Sequence, residues 1–229
     1  MSLFAMGDLH LSFAKEKPMD IFGKQWERHW DKIRNSWLAQ ITSEDTVLLP
    51  GDISWAMDLE EVVADMDFLQ QLPGKKILVR GNHDYWWSSA SKVRSAFPAV
   101  TFLQNDSATW EDYFICGTRG WVCPNDSRFT PHDQKIYERE QVRLRLSLEQ
   151  AMQKGANKII VMLHFPPIND KKEASGFTEI LERYPVEKVI YGHLHGEHSF
   201  SAGIMGMYHG IEYQLVSSDF LDFTFNKLV

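Results

Sequence analysis

The sequence predicts an α/β protein whose strands form a parallel or mixed sheet. Two observations carry this. Aliphatic runs recur at residues 3–6, 46–50, 75–79, 158–163 and 188–191, and helical patterns separate most of them. Each run also ends at residues bearing carboxylate, amide or imidazole groups: Asp8 with His10, Asp52, Asn82 with His83, His164, and His193 with His195. In open α/β sheets the ligand crevice lies beyond the carboxyl ends of the strands, so these side chains are expected to gather at one edge.

Leu3 to Met6 forms the first strand and leads into Gly7-Asp8-Leu9-His10. Residues two apart in extended chain point the same way, so Asp8 and His10 can address one point. Residues 11–23 read as a loop punctuated by Pro18 and Gly23. Lys24 to Ile41 reads as a helix, because Trp26, Trp30, Ile33, Trp37 and Ile41 make one apolar stripe, and that stripe is assigned to the core. The second strand, Thr46 to Pro50, ends in Gly51-Asp52. Leu59 to Leu72 suits a helix with Val62, Met66 and Leu69 inside, stopped by Pro73-Gly74.

The third strand, Lys75 to Val79, delivers Arg80-Gly81-Asn82-His83-Asp84. Glycine here permits a sharp turn or a close approach. Ser88 or Ser89 caps a short helix through Phe97. Two or three strands fit residues 100–117, with a turn near Gln104-Asn105-Asp106. Residues 118–133 form a long loop carrying Arg119 and Arg128, and long loops in compact domains are often functional. Gln134 to Lys154 is a charged amphipathic helix with Leu144, Leu148 and Met152 inside, closed by Gly155.

Lys158 to Leu163 is the clearest buried strand, and Phe165-Pro166-Pro167 forbids a helix directly after His164. A short helix over Thr178 to Tyr184 precedes the strand Lys188 to Tyr191, which ends in Gly192-His193-Leu194-His195-Gly196. The tail reads as antiparallel strands, with Ile211 to Val216 and Leu221 to Phe225 the best segments. No repeat, low-complexity tract or linker interrupts the chain, so residues 1–229 are expected to form a single domain.

Hydrophobic residues make up 44% and charged residues 24%, ordinary globular values. Twenty-four basic against 31 acidic residues leave a net charge of −7, which argues against bulk electrostatic binding to nucleic acid. Cys116 and Cys123 match no zinc or redox spacing and are read as free thiols. No signal peptide and no membrane span is evident, so a cytoplasmic location is the expectation.

The converging set holds two aspartates, one asparagine and four histidines, with His83 in addition. Mixed oxygen and imidazole donors suit manganese, iron or zinc rather than calcium. Seven donors exceed one tetrahedral ion and suit two ions sharing a carboxylate. Two such ions can activate water and clamp an in-line displacement at phosphorus.

These residues carry a family resemblance. Asp8-x-His10, Gly51-Asp52, Gly81-Asn82-His83-Asp84, His164 and Gly192-His193-x-His195 occur in the order of the calcineurin-like metallophosphoesterase superfamily, which the chain resembles over residues 7–196. More narrowly, it resembles uncharacterised bacterial phosphohydrolases of that superfamily. The resemblance implies mixed β-sheets in a β-sandwich core flanked by α-helices, with the metal site at the carboxyl ends of the strands. It implies that Asp8, His10 and His195 hold a first metal, that Asp52 bridges, and that Asn82, His164 and His193 complete a second. It assigns His83 to the substrate, as the acid that protonates the leaving oxygen, oriented by Asp84. Manganese is the favoured pair, with iron or zinc as alternatives.

One departure narrows the substrate. Protein serine/threonine phosphatases of the superfamily carry a phosphate-binding arginine after the bridging aspartate and a glutamate after the catalytic histidine. Here Asp52 is followed by Ile53-Ser54-Trp55-Ala56-Met57-Asp58, and His83 by Asp84. A small phosphodiester or phosphomonoester is therefore expected. Arg119 is a candidate for binding its phosphate, since guanidinium forks match phosphate oxygens. Trp55, Tyr85, Trp86 and Trp87 are read first as core, with stacking on a nucleobase as the alternative. His29, His132, His198 and His209 are read as structural or surface. Two rival readings are a catalytically silent metal-binding scaffold and a nuclease of the same superfamily; the complete set of site residues weighs against the first and the acidic charge against the second.

Overall fold

The structure is a computed structural model describing residues 1–15 and 17–229. Two sheets lie face to face, each covered on its outer side by helices. The first half of the chain runs β1 (Leu3–Ala5), α1 (His29–Gln40), β2 (Thr46–Leu49), α2 (Val63–Gln71), β3 (Lys75–Leu78), α3 (Ala90–Ala96) and β4 (Thr101–Phe102). The second runs β5 (Ala108–Trp110), β6 (Tyr113–Thr118), α4 (Pro131–Gln153), β7 (Ile159–Leu163), α5 (Gly176–Leu181) and β8 (Val186–Tyr191). It ends with α6 (Glu197–Phe200), β9 (Gly206–Tyr208), β10 (Ile211–Leu215) and β11 (Asn226–Lys227).

The first sheet has the order β11-β1-β2-β3-β4 and the second β5-β6-β7-β8-β10-β9. The strands from β1 to β4 are parallel to one another, as are β6, β7, β8 and β10; β11, β5 and β9 are antiparallel edges. Both faces of each sheet are covered, so the central strands β1, β2 and β7 are buried along their whole length, whereas β10 near the edge alternates buried apolar with half-buried polar residues. Alternation still sorts them. Val47 and Leu49 of β2 pack with Ile33, Trp37, Met66 and Val93 of the helices, while Leu48 turns inward. The layer between the sheets joins Leu3, Ala5, Leu48 and Ile77 to Ile115, Ile160, Met162 and Ile190. On the far side, Leu144, Leu148, Phe177 and Ile180 cover Val161, Leu163 and Val189.

The register brings the strand ends level. Ala5 faces Leu48, Leu48 faces Ile77, and Leu163 faces both Thr118 and Tyr191. A parallel bridge between Gly7 and Ser217 then ties the two sheets together at this edge. The polar segments after β1, β2, β3, β7 and β8 therefore open side by side.

Several expected elements differ. The helix expected from Lys24 splits into a 3-10 turn at Lys24–Trp26 and α1, because Arg28 sits at φ 48°, a left-handed break. Trp26 stays in the core with Ile33 and Trp37, and its ring also meets His10 and His195 at the polar edge. Helix α2 starts at Val63 rather than Leu59. Helix α4 starts three residues earlier than expected: Pro131 takes the first helical position, and the Asp133 carboxylate accepts from the Thr130 N–H (2.8 Å) and hydroxyl (2.6 Å). Its inner stripe steps from Leu148 to Ala151, which leaves Met152 41% exposed. Leu221 to Phe225 is not a strand, since Asp222 (φ 47°) and Phe223 (φ 55°) are left-handed; Phe223 and Phe225 instead pack edge-on against Trp26 and Trp37. Nor is the tail wholly antiparallel, because β10 joins β8 in parallel. Ser89 is the residue that caps α3, Gly155 (φ 87°) closes α4, and both cysteines are free and buried. No helix among the described residues is long and apolar enough to cross a membrane.

Candidate metal centre

Four of the converging residues sit in left-handed backbone: Asp8 (φ 59°), His10 (46°), Asp52 (52°) and His193 (71°). Each such residue costs about 1–3 kcal/mol, and strain of this kind collects where a chain must aim side chains at a site. The turns also need glycines. A Cβ on Gly81 would lie 2.0 Å from Asp52 Oδ1 and 2.2 Å from the Asp52 backbone nitrogen. A Cβ on Gly192 would lie 2.2 Å from Asp8 Oδ2. Bare backbone at these points lets the strand ends close on one another.

The side chains then meet. Asp8 is fully buried, and both its oxygens accept from the His193 N–H, at 3.1 and 3.0 Å. His10 Nε2 lies 3.2 Å from His195 Nε2, which lies 3.5 Å from Asp8 Oδ1. Asp52 Oδ1 accepts from the His83 N–H at 2.8 Å, while Oδ2 lies 3.4 Å from His164 Nε2 and 3.9 Å from His10 Nε2. Asn82 Oδ1 lies 2.7 Å from His164 Nε2 and 2.9 Å from His193 Nδ1. Two donor groups, Asp8–His10–His195 and Asp8–Asp52–His164, each have their ligand atoms within 4.8 Å of one another. Asp8 belongs to both, and Asp52 Oδ2 sits between the two groups.

This donor set fits cations. His164 Nδ1 donates to the Pro50 carbonyl at 3.1 Å, so its Nε2 carries a lone pair. That lone pair faces the Asn82 and Asp52 oxygens and His193 Nδ1, four acceptors with too few protons among them. Burial, with neighbouring imidazoles adding to it, holds His10 well below the ordinary histidine value and likewise His193; burial also dominates at His164. Burial, then the charges of Asp84 and Asp8, drives Asp52 well above the carboxylate range. At His195 burial opposes the charged form, but the Asp8 charge and hydrogen bonds to Asp219 and Asp8 push it up to about 10. A divalent cation would favour Asp52 as the anion and would take up the lone pairs of the buried, uncharged imidazoles of His10, His164 and His193.

The rest of the site corrects the sequence reading in two places. Asp84 was expected to orient the His83 ring. It is fully buried and accepts instead from the backbone N–H groups of Asp52 (3.0 Å), Ile53 (2.9 Å), Ser54 (3.2 Å) and Gly81 (2.7 Å), and from Trp86 Nε1 (3.0 Å). It therefore knots the second and third motif turns together. His83 Nδ1 has no hydrogen-bond partner among the described residues. Second, the core assignment for the aromatics holds for Trp86 and Trp87, each 1% exposed, but not for Tyr85, which is 48% exposed, and only in part for Trp55, which is half-buried at the site. Trp55 stacks on His10 at 5.0 Å and lies 4.3 Å from the His83 ring.

Arg119 lies at the end of β6, where its carbonyl accepts from the His164 and Phe165 N–H groups. Its guanidinium is mostly buried, 3.5 Å from Glu140 and over the Trp121 ring, and burial lowers it to about 10. His29 is buried, with its ring nitrogens 3.2 Å from the Trp26 carbonyl and 3.1 Å from the His10 carbonyl, a structural role; His132, His198 and His209 are exposed. The sequence reading passed over Asp219. Its Oδ1 accepts from His195 Nδ1 at 2.9 Å and its Oδ2 from the Gly196 N–H at 2.9 Å, which aims His195 Nε2 at Asp8. The signal was present, because β10 also runs out into polar residues, Ser217-Ser218-Asp219.

A family model described as calcineurin-like phosphoesterase matches residues 1–197. The chain belongs to that family. Family membership makes it a metal-dependent phosphoric ester hydrolase, and the donor clusters are where this phosphoesterase would hold its metal. Among solved structures, a phosphopantetheinyl hydrolase from Mycobacterium tuberculosis is similar at 14% identity with a TM-score of 0.59, over 100% of this chain and 95% of its own. A protein of unknown function from Aquifex aeolicus aligns at 15% identity with a TM-score of 0.47, over 99% of this chain and 95% of its own. No curated protein matches this phosphoesterase.

Proposed function

We propose that the protein is a dinuclear phosphoesterase acting on a small phosphodiester or phosphomonoester, with His83 as the general acid. The observation that carries this reading is the meeting of two buried donor groups through Asp8 and Asp52, with the His83 ring beside them. Asp8, His10 and His195 would hold one ion and Asn82, His164 and His193 the other, with Asp52 offered to both; manganese is the favoured metal, iron or zinc the alternatives. Bound ions of this kind neutralise phosphate oxygens and lower the pKa of water toward roughly 7. The chain's own part is positional. The His83 backbone N–H steadies Asp52, and the His83 ring is held against Trp55 within reach of the same space. As the water oxygen bonds to phosphorus and the ester P–O bond breaks, His83 gives its proton to the departing alcohol oxygen.

Arg119 remains a candidate contact for the substrate phosphate, through the guanidinium edge that Glu140 does not occupy. The substrate is a small phosphate ester rather than nucleic acid, in keeping with the net charge of −7. The test is an assay of the purified protein with added manganese against bis-p-nitrophenyl phosphate, p-nitrophenyl phosphate and a panel of organic phosphates. The phosphopantetheinyl hydrolase neighbour adds a phosphopantetheine ester to that panel. Turnover that chelation abolishes and manganese restores is the expected result. Two equivalents of bound metal with no turnover of any ester overturns the reading in favour of a silent metal-binding scaffold.

A further inference from the structure

A cavity of about 140 Å³ opens beside the donor groups, lined by His10, Met19, Phe22, Trp26, Trp55, His83 and His195. Four of those seven side chains are apolar, and they share the cavity with His10, His83 and His195. Trp26 meets His10 and His195 edge-on at 5.9 and 5.4 Å, and Trp55 lies flat against His10. The Trp55 indole N–H points to Met19 Sδ at 3.3 Å, which fixes the ring as one wall of the cavity. Lys17 Nζ stands 4.8 Å from the Trp55 ring centre, the one cation at this wall among the described residues. The metal side is lined by carboxylate, amide and imidazole; here indole, phenyl and thioether groups join the imidazoles of His10, His83 and His195.

A larger cleft of about 550 Å³ lies behind Met19 and Trp26, lined by Ser12, Phe13, Lys17, Asp20 and Arg28 among others. It touches none of the donor residues, so it cannot take the reacting end of a substrate. The small cavity does touch them. Its size is the size of a single ring: an apolar protein cavity of roughly 150 Å³ holds benzene.

We propose that this cavity receives the leaving group of the ester as one flat, apolar, ring-sized unit, and that Phe22, Trp26, Trp55 and Met19 set the specificity of the enzyme. The proposal rests on the phosphoesterase reading and narrows it. A phosphorus atom placed at the donor groups has its ester oxygen pointing past His83, and whatever that oxygen carries enters the apolar pocket. A nucleoside, with a polar sugar between phosphate and base, puts hydroxyls where the walls offer few partners. An aryl or comparably compact apolar alcohol buries its ring against two indoles. Full burial of such a ring is worth roughly a 10- to 100-fold gain over a methyl group in the same place.

The test separates binding from turnover. Phenylphosphonate and methylphosphonate, neither of which carries a hydrolysable ester, are titrated into the manganese-loaded protein and followed by isothermal titration calorimetry. Phenylphosphonate is expected to bind at least about 10-fold more tightly than methylphosphonate. In the Phe22→Ser variant that ratio is expected to fall, with the loss confined to the phenyl ligand; Phe22 is 59% exposed, so its replacement leaves the core intact. Among esters, phenyl phosphate is expected to show a lower KM than ethyl phosphate or a nucleoside 5′-monophosphate at similar kcat. Equal affinity for the two phosphonates overturns the proposal, as does a Phe22→Ser variant that weakens both alike. Failure of all turnover with the phosphonate ratio intact overturns the phosphoesterase reading and leaves the pocket assignment standing.

Discussion

The two sheets bring their donors to the site by different means. The first sheet supplies Asp8, His10, Asp52 and Asn82, and it aims them with backbone. Asp8, His10 and Asp52 are left-handed, and Gly81 packs against Asp52 with no room for a methyl group. The second sheet supplies His164, His193 and His195, and two of those rings are aimed by a hydrogen bond from the far nitrogen: His164 to the Pro50 carbonyl and His195 to Asp219. His10 has no such partner for Nδ1 among the described residues and is held by stacking on Trp55 instead. The physical reason lies in reach. A short carboxylate can be placed only by moving the main chain, whereas an imidazole has a second nitrogen by which it can be held.

That difference predicts where damage is greatest. Asp52→Ala removes the oxygen between the two donor groups and is expected to lose bound metal and all turnover, as read by metal analysis and the diester assay. Gly81→Ala should approach the same result without touching a donor, since its new methyl meets the Asp52 backbone nitrogen and cannot be accommodated by a rotamer change. A loss of at least about 10²-fold in kcat/KM is expected from such a displacement. Gly192→Ala should cost less, because its methyl meets the movable end of the Asp8 carboxylate. Equal losses from the two glycine variants would remove the distinction between backbone-aimed and bond-aimed donors.

His83→Ala belongs to neither group, which is why it is informative. Its ring touches no donor oxygen, and only its backbone N–H supports Asp52, a contact alanine retains. Turnover is expected to fall about 10²–10⁴-fold while metal content stays at the wild-type value. Metal loss from this variant would place His83 among the ligands and refute its role as acid.

The same division explains what could be read from the sequence. The strand ends were legible because both sheets are covered on two faces, so five uninterrupted apolar runs stand out and each stops at its donor. The turn after each run was legible in part: Gly51-Asp52 and Gly81-Asn82 pair a glycine with a donor, but that the glycines touch each other across the strands appears only in three dimensions. Asp219 was passed over although β10 runs out into Ser217-Ser218-Asp219 as the other strands run out into donors, because it sits in none of the donor motifs and acts only through His195. Trp26 was read rightly as core but wrongly as part of one continuous helix, because the stripe is cut by one left-handed residue, Arg28, which no periodicity reveals. Leu221 to Phe225 has the composition of a strand, yet its aromatic rings are buried by two left-handed residues that carry Phe223 under Trp26.

Asp219→Asn sharpens the comparison at smaller amplitude. It keeps the shape of the side chain while weakening the anion that aims His195, and partners of this kind typically contribute 10–100-fold to metal affinity or activity. A loss in that range is expected, with the apparent metal affinity falling while kcat at saturating manganese largely recovers. An unchanged metal affinity would show that the second sheet's rings are placed by packing alone.

The sheets also differ in how each tolerates a buried charge, and this gives the smallest effect. On the second side, Glu140 is fully buried and meets Arg143 (3.0 Å), Arg119 (3.5 Å) and Arg139 (3.6 Å), so Glu140→Gln is expected to cost about 3 kcal/mol in urea unfolding by stranding the guanidiniums. On the first side, Lys76 of β3 is 6% exposed and, among the described residues, has the Leu72 carbonyl and the Trp37 ring as its polar and cation–π partners. Burial lowers it to about 8. Unfolded chain holds that proton up to its ordinary value near roughly 10.4, so between these two values the unfolded state binds more protons and stability rises with pH. Below pH 8 both states are charged and the cost of burying the ammonium is felt in full. Lys76→Met is therefore expected to raise stability at pH 7 by roughly 1 kcal/mol and to flatten the rise between pH 8 and 10. A variant less stable than the parent, with the alkaline rise intact, would mean that the Leu72 carbonyl and the Trp37 ring compensate the charge in full, and that the first sheet, like the second, buries its ions only where they are paired.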